Sequence, residues 1–322
     1  MDLGLLSHNL LAPAFLAFAV GVLARLARSD LVFPEALSQA LSIYLLFAIG
    51  LKGGSALGTV AFGEVAAPAV ATLIIGAVVP LLAYPAARRL LRLGRVDAAA
   101  MAAHYGSTSA VTFLAAAAYL AHLGIAYEGF MPGLLALMEV PGIAIALWLA
   151  GRGAPGEQRP PLGLAMARVL SGKSIVLLLG GMAVGWVADP KALAKIDAFF
   201  VAPFVGVLCL FLLDLGTIAA DRLRSLDRGW WRLAAFAIAL PLVNGSLGVL
   251  AGHTCGLGVG GATLLGVLAA SASYIAAPAA VRVALPQADL GICLAGSLGI
   301  TFPFNLTFGI PWYCHLAGVL AA

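Results

Sequence analysis

The chain has 322 residues, of which 62% are hydrophobic and only 10% carry a charge, whereas a soluble domain averages about a quarter charged residues. Together with a mean hydropathy of +1.05, this composition indicates an integral membrane protein and excludes a soluble enzyme, a nucleic-acid-binding protein and an extracellular disulfide domain. The net charge of +4 comes from arginines between the apolar runs, where a membrane protein needs them for its orientation.

Ten apolar runs follow one another along the chain, each of a length suited to a transmembrane helix. We interpret all of them as helices, because the runs are too long for the strands of a membrane barrel and do not alternate between apolar and polar residues as such strands do. No basic leader precedes the first run, so we expect a genuine first span rather than a cleaved signal peptide. The runs are 9–27, 34–51, 64–87, 96–121, 129–150, 172–188, 196–218, 230–252, 259–285 and 290–318.

Lys and Arg are distributed unevenly between the two sides of these spans. Fifteen lie on one side and three on the other, namely Lys52, Lys191 and Lys195. Because the side rich in positive charge is normally cytoplasmic, we expect a bacterial inner-membrane protein with both termini outside the cytoplasm. Trp230 and Trp231 then fall at the cytoplasmic interface, where aromatic rings are favoured.

The two halves of the chain are similar at an offset close to 164 residues. Because each half holds five spans, an odd number, the second copy enters the membrane from the opposite side, which makes an inverted-topology repeat. The matching segments are 47–52 with 211–216, 104–109 with 268–273, and 139–141 with 301–303. The predicted units are a first five-span repeat (1–151), a cytoplasmic linker rich in Gly and Pro (152–171) and an inverted second repeat (172–322).

Two spans carry clusters of small hydroxyl residues that predict a break in the helix. The fourth span contains Gly106 followed by Ser107, Thr108 and Ser109, and the ninth contains Ser271-Ala272-Ser273 five residues before Pro278. Hydroxyl side chains can satisfy backbone groups locally, and proline removes a backbone donor. Interrupted helices at corresponding positions of two repeats point to a transport site. The alternative is that small residues merely permit close packing of helices.

The expected breaks favour an anionic ligand. Helix N-termini approaching from opposite sides would present free N–H groups and partial positive charge near the middle of the membrane. Neither break contains Arg or Lys, so the pattern favours a small, weakly charged anion over a phosphate ester.

Two acidic residues, Glu139 and Asp214, lie inside apolar runs, where ionisable groups are costly and usually functional. Carboxylates and neighbouring hydroxyl or amide oxygens would suit Na⁺, although buried acids could equally relay protons. Alternatively, either acid could pair structurally with Lys52, His104 or Asn305. The ion-coupling candidates are Glu139, Asp214, Asn305, Thr112 and Thr301, with Thr307 as a further oxygen ligand.

Other motifs are weak or missing. The four cysteines are isolated, without metal-ligand spacing, and no nucleotide-binding loop occurs, so transport would follow an ion gradient or be passive. Gly181 and Gly185 form a GxxxG match that we attribute to close helix packing. An intramembrane hydrolase with Ser107 or Ser271 as nucleophile is disfavoured, because no oxyanion motif is present and only Ser107 has a nearby histidine, His104.

Several long segments resemble the SbtA-type family of sodium-dependent bicarbonate transporters, and the likeness covers essentially the whole chain. They are IYLLFAIGLKGG (43–54), AHYGSTSAVTF (103–113), EVPGI (139–143), FLLDLG (211–216) and ASASYIAAPAA (270–280). The resemblance implies an all-α membrane protein of ten helices in two inverted five-helix repeats. It further implies a core domain with broken, crossing helices that moves against a scaffold (gate) domain in an elevator-like manner.

The resemblance also implies a homotrimer that carries bicarbonate into the cell together with Na⁺, without an organic cofactor. By carry-over, the bicarbonate site would comprise Gly106, Ser107, Thr108, Ser109, Ser271, Ala272 and Ser273. Cyanobacterial members have a longer cytoplasmic segment between the fifth and sixth spans and bind a PII-like regulator. Here that segment, 152–171, is short, which puts such a regulator in doubt.

The cargo is the main alternative left open. The same fold could carry another small carboxylate or inorganic anion, coupled to Na⁺ or H⁺. Related ten-span folds carry bile acids or exchange Na⁺ for H⁺, but small hydroxyl-lined breaks without Arg argue against bulky organic anions.

Overall fold

The computed structural model describes residues 11–57, 61–151, 162–224 and 230–322. Within them every regular element is a helix, as the composition predicts. The helices are α1 Pro13–Leu26, α2 Glu35–Leu57, α3 Phe62–Arg89, α4 Arg95–Gly106, α5 Ala110–His122, α6 Met131–Ala150, α7 Leu162–Leu170, α8 Lys173–Val187, α9 Pro190–Ala194, α10 Asp197–Phe200, α11 Phe204–Arg224, α12 Trp230–Thr254, α13 Val259–Ala270, α14 Ala276–Ala284 and α15 Leu290–Ala321.

Six of the described helices are long and apolar enough to cross a membrane, or seven spans if the bent pair α7 and α8 counts as one. The other predicted spans correspond to shorter helices. The run at 96–121 is divided into α4 and α5, and the run at 259–285 into α13 and α14. The run at 9–27 contains α1, and its first two residues lie outside the described residues.

The predicted linker differs from a simple loop. Its first part, 152–161, lies outside the described residues, and its second part forms helix α7. Ala165 and Val169, one turn apart, are buried where α7 packs on α14 and α6. A 46° bend separates α7 from α8. Between Gly163 and Gly172 the chain contains neither Gly nor Pro, so this stretch can be helical.

The helices form two groups. In one, α1 packs on α11 and α2 packs on α8; in the other, α4 packs between α3 and α6, and α13 between α12 and α15. The pattern is reciprocal, because the first helix of each half packs on the second helix of the other half. Both bounds of α4 lie 164 residues before the bounds of α13. We call α1, α2, α8 and α11 the scaffold bundle, and α3–α6 with α12–α15 the core bundle.

Glycines allow the scaffold pairs to approach closely. A Cβ at Gly181 of α8 would lie 2.7 Å from the Phe47 carbonyl oxygen and 3.1 Å from the Gly50 Cα of α2, and one at Gly185 would overlap the Leu51 carbonyl. The GxxxG segment therefore packs helices together, as interpreted from the sequence.

Replacing Gly181 by valine should separate α2 from α8. Overpacking of this kind costs about 1–3 kcal/mol, so we expect Gly181→Val to lower the midpoint of thermal unfolding in detergent. Gly180→Val is the matched control, because a Cβ at Gly180 meets nothing within 4 Å, and this variant should unfold like the native chain. Equal loss in both variants would contradict close packing at Gly181.

Candidate functional site

The first predicted break is present between α4 and α5. Helix α4 ends at Gly106, and Ser107 and Ser109 adopt extended backbone conformations before α5 begins at Ala110. The Ser109 hydroxyl caps α5 by accepting a hydrogen bond from the Thr112 N–H at 3.2 Å. Gly106 lies against Gly142 of α6 so closely that a Cβ on Gly142 would overlap the Gly106 carbonyl. Local capping chemistry and close packing thus fix the position of the break.

The second break lies at the corresponding place in the second half. Helix α13 ends at Ala270, Ser271 is extended, and α14 begins at Ala276. The Ser273 hydroxyl accepts a hydrogen bond from the Ala277 N–H at 3.1 Å. Ala272 is buried between the two serines. Hydroxyl side chains therefore satisfy backbone donors in both breaks, as expected from the sequence.

The two breaks are hydrogen-bonded to each other. The Ser109 N–H donates to the Ser271 hydroxyl at 2.9 Å, and the Ser273 N–H donates to the His104 carbonyl at 2.7 Å. The Ser271 hydroxyl in turn donates to the Leu268 carbonyl at 2.9 Å. Segments more than 160 residues apart in sequence are thereby held in one place.

A small buried cavity lies where the breaks meet. Its volume of about 10 Å³ suits a single water-sized particle. Its lining residues are Thr108, Ser109, Ala110, Glu139, Ser174, Ser273, Tyr274, Ile275 and Ala276. Ala110 and Ala276 are the first residues of α5 and α14, so the N-termini of both half-helices, with their free N–H groups and partial positive charge, open onto this cavity.

Several polar atoms around the breaks are buried and have no partner among the described residues. They are Glu139 Oε2, Ser107 Oγ and His104 Nε2. Only 2% of Glu139 and 1% of Ser107 is exposed. Buried polar groups in proteins are normally hydrogen-bonded, so these atoms have capacity to bind a ligand. The His104 Nδ1–H donates to the Ala100 carbonyl at 2.8 Å, so the ring is held by the backbone of its own helix.

The remaining ion-coupling candidates are buried, or partly buried in the case of Thr307, and do not line the cavity. Asp214 accepts a hydrogen bond from the Ser38 hydroxyl at 2.5 Å, which links α11 to α2. Thr112 lies one turn into α5, and Thr307 donates to the Pro303 carbonyl within α15. Among the described residues, neither Glu139 nor Asp214 forms an ion pair with Lys52. The one salt bridge among them joins Arg25 to Asp221.

Thr301 and Asn305 lie on α15, in or beside stretches of π-helix. Pro241 lacks the N–H that would bond to the Ala237 carbonyl, and Thr301 donates to that carbonyl at 2.7 Å instead. Asn305 donates to the Ala270 carbonyl, at the end of α13, at 2.9 Å. Both residues therefore satisfy carbonyls left open by a proline or by a helix end.

Sequence reasoning missed five of the lining residues, of which two are polar, Tyr274 and Ser174. Tyr274 directly follows Ser273 in the chain, so extending the second polar cluster by one residue could have found it. Ser174 is the second residue of α8 in the scaffold bundle, and the sequence around it carries no signal beyond a hydroxyl at the start of an apolar run.

The fold defines a multi-pass membrane protein of helices, with a polar cavity between two interrupted helices. Residues 13–318 match the model of the Na⁺-dependent bicarbonate transporter superfamily. The chain belongs to this family, which confirms the resemblance found in the sequence and makes the protein a transporter rather than an enzyme. No individually curated protein matches the chain.

Ser271 should be structurally essential. Ser271→Ala removes the acceptor of the Ser109 N–H, and leaving a buried donor unpaired costs about 1–3 kcal/mol. We expect a lower midpoint of thermal unfolding in detergent. Ser55→Ala is the control, because Ser55 is exposed and bonds only to a carbonyl of its own helix. A Ser271→Ala protein as stable as this control would contradict the bonded arrangement of the breaks.

Proposed function

We propose that the protein is a Na⁺-coupled symporter that carries bicarbonate into the cell by an elevator-like alternating-access mechanism. The observation that carries this proposal is the cavity onto which two half-helix N-termini open beside the carboxylate of Glu139. One site thereby offers partial positive charge to an anion and a negative oxygen ligand to a cation.

Bicarbonate would bind between the two breaks. The N-termini of α5 and α14 supply N–H donors, and the unpartnered Ser107 hydroxyl supplies another. The lining residues include no Arg or Lys, which favours a weakly charged, monovalent anion over a phosphate ester. The proposed anion-binding residues are Gly106, Ser107, Thr108, Ser109, Ser271, Ala272 and Ser273.

Na⁺ would bind beside Glu139, because a carboxylate and hydroxyl oxygens are the hard ligands that such a cation prefers. Ser174, Thr108 and Ser273 line the same cavity. In the proposal, Asp214, Thr112, Thr301 and Asn305 support the site indirectly, by holding the helices that form it. Glu139 is then the ligand and Asp214 a positioning residue.

Charge balance explains why the two ions would travel together. Two helix N-termini contribute about +0.5 each, which offsets one ionised carboxylate of Glu139. The net charge of the site stays near zero when Na⁺ and bicarbonate bind together, whereas either ion alone leaves a net unit charge there. A buried uncompensated charge costs several kcal/mol. Empty and fully loaded sites would therefore cross the membrane more readily than half-loaded ones.

The proposed architecture has ten spans in two inverted repeats. It is supported by the 164-residue offset between α4 and α13 and by the reciprocal pairs α1 with α11 and α2 with α8. Glu139 belongs to the core bundle and Ser174 to the scaffold bundle, so the cavity lies at the boundary across which an elevator would move. A homotrimer in the bacterial inner membrane with both termini outside completes the proposal.

Uptake of labelled bicarbonate into proteoliposomes tests the function directly. Uptake by the native protein should be at least about tenfold faster with an inward Na⁺ gradient than with an inward K⁺ gradient. Ser107→Ala should raise the KM about tenfold, since a hydrogen bond to a charged ligand contributes about 1.5–3 kcal/mol. Thermal stability should stay unchanged, because Ser107 Oγ has no partner among the residues that the structure describes. Full uptake without Na⁺, or stronger competition by formate, acetate or nitrate than by bicarbonate, would contradict the proposal.

Replacing Glu139 by glutamine should uncouple the two ions. With a neutral side chain, bicarbonate alone would balance the helix N-termini, so the ratio of uptake with Na⁺ to uptake without Na⁺ should fall about tenfold. Asp214→Asn is the matched control: it removes a buried carboxylate outside the cavity and can still accept the Ser38 hydrogen bond, so this ratio should stay native. The same fall in both variants would contradict a specific role for Glu139.

A further inference from the structure

A larger cleft lies apart from the cavity between the breaks. Two adjoining cavities, of about 360 and 140 Å³, share Ile49, Lys52, Ala121 and Tyr127. Helix α2 and the start of α11 form one wall, and the end of α5 with the loop before α6 forms the other. We call this space the Lys52 cleft. It therefore lies between the scaffold and core bundles.

Lys52 is the one charged residue among the described residues that line this cleft. Its Nζ lies 5.8 Å from the centroid of the Tyr127 ring, a distance at which the ring face attracts a cation. No described carboxylate lies within 4 Å of it. The neighbouring Glu128 is engaged elsewhere, because its Oε1 accepts the Gly258 N–H at 2.7 Å. The positive charge of Lys52 is thus directed into the cleft without a carboxylate partner.

Helix α5 connects this cleft to the proposed transport site. Its N-terminus, at Ala110, lines the cavity between the breaks, and Ala121 near its C-terminus lines the cleft. Eleven residues of helix span about 16 Å. An anion held at Lys52 would therefore lie on one face of the protein, about one helix length from the site.

The repeat-related position of the second half carries no cation. The position related to Lys52 by the 164-residue offset is Gly216, where a Cβ would overlap the Phe18 carbonyl of α1. Lys52 also lies on the side of the spans that has few positive charges, so the orientation preference of cytoplasmic arginines does not explain it. A single cation in a wide cleft on one face suits the attraction of anions from that side.

We propose that the Lys52 cleft is the entrance at which a small inorganic oxyanion, bicarbonate, is first bound before it reaches the cavity between the breaks. This assignment rests on the proposed function. Lys52 contributes the charge that concentrates the anion in the cleft, and Tyr127 keeps the ammonium group in position. Because the binding is weak and precedes transport, Lys52 affects the KM rather than the maximal rate.

The first test is uptake as a function of bicarbonate concentration at low ionic strength. Lys52→Gln should raise the KM about 3- to 10-fold with an unchanged maximal rate, and Lys52→Arg should restore a KM within twofold of native. Lys191→Gln is the matched control, because Lys191 is an exposed lysine of α9 that does not line the cleft, and it should have the native KM. A native KM in Lys52→Gln, or an equal rise in Lys191→Gln, would overturn the assignment.

The second test does not depend on transport. Acetylation of the native protein in neutral detergent, followed by peptide mass spectrometry, compares the modification rates of Lys52 and Lys191. Bicarbonate, but not chloride, should slow acetylation of Lys52 at least about twofold and leave Lys191 unaffected. This result would support the cleft even if Na⁺-dependent uptake failed. Protection by phosphatidylglycerol but not by bicarbonate would overturn the proposal in favour of a lipid headgroup.

Discussion

The reciprocal hydrogen bonds between the two breaks are the interaction on which the site depends. A membrane interior has no water to satisfy backbone groups, so irregular backbone survives there only when the protein itself provides partners. Ser109 and Ser273 donate their N–H groups across the break to Ser271 and His104. Ser109 and Ser273 cap the N–H groups of Thr112 and Ala277, while Ala110 and Ala276, the first residues of α5 and α14, line the cavity.

The same need for partners explains the polar residues around α15. Proline in α12 and the end of α13 each leave a carbonyl without its helical donor, and Thr301 and Asn305 supply the missing donors. These residues were predicted as ion ligands because they are polar and lie inside apolar runs. Both side chains donate to backbone carbonyls, and both also bond to a tyrosine hydroxyl, Thr301 to Tyr105 and Asn305 to Tyr313. A polar residue deep in the membrane can therefore satisfy the protein's own polar groups rather than bind an ion.

The helix breaks could be predicted from local sequence, whereas long-range packing determines which residues line the cavity. Gly106 and the three hydroxyl residues after it predict a helix break to within a few residues, and so does the cluster 271–273 in the second half. The separation of Asp214 from Glu139 depends on α11 packing on α1 and α2, a pairing that no short motif encodes. Ser174 was missed because its place in the site also depends on long-range packing. It lines the cavity since α8 packs on α6 and α7.

The proposed mechanism divides its work between symmetric and asymmetric residues. Helices α4 and α13, which lead into the two breaks, are related by the repeat offset, and the half-helices α5 and α14 that follow them both present an N-terminus to one cavity. Glu139 and Lys52 break this equivalence, because the matching residues of the second half are Thr301 and Gly216. A symmetric pair of helix ends alone would bind an anion without regard to Na⁺ or direction. Coupling therefore requires a carboxylate on one side of the cavity, and selective loading from one face requires a cation at one entrance.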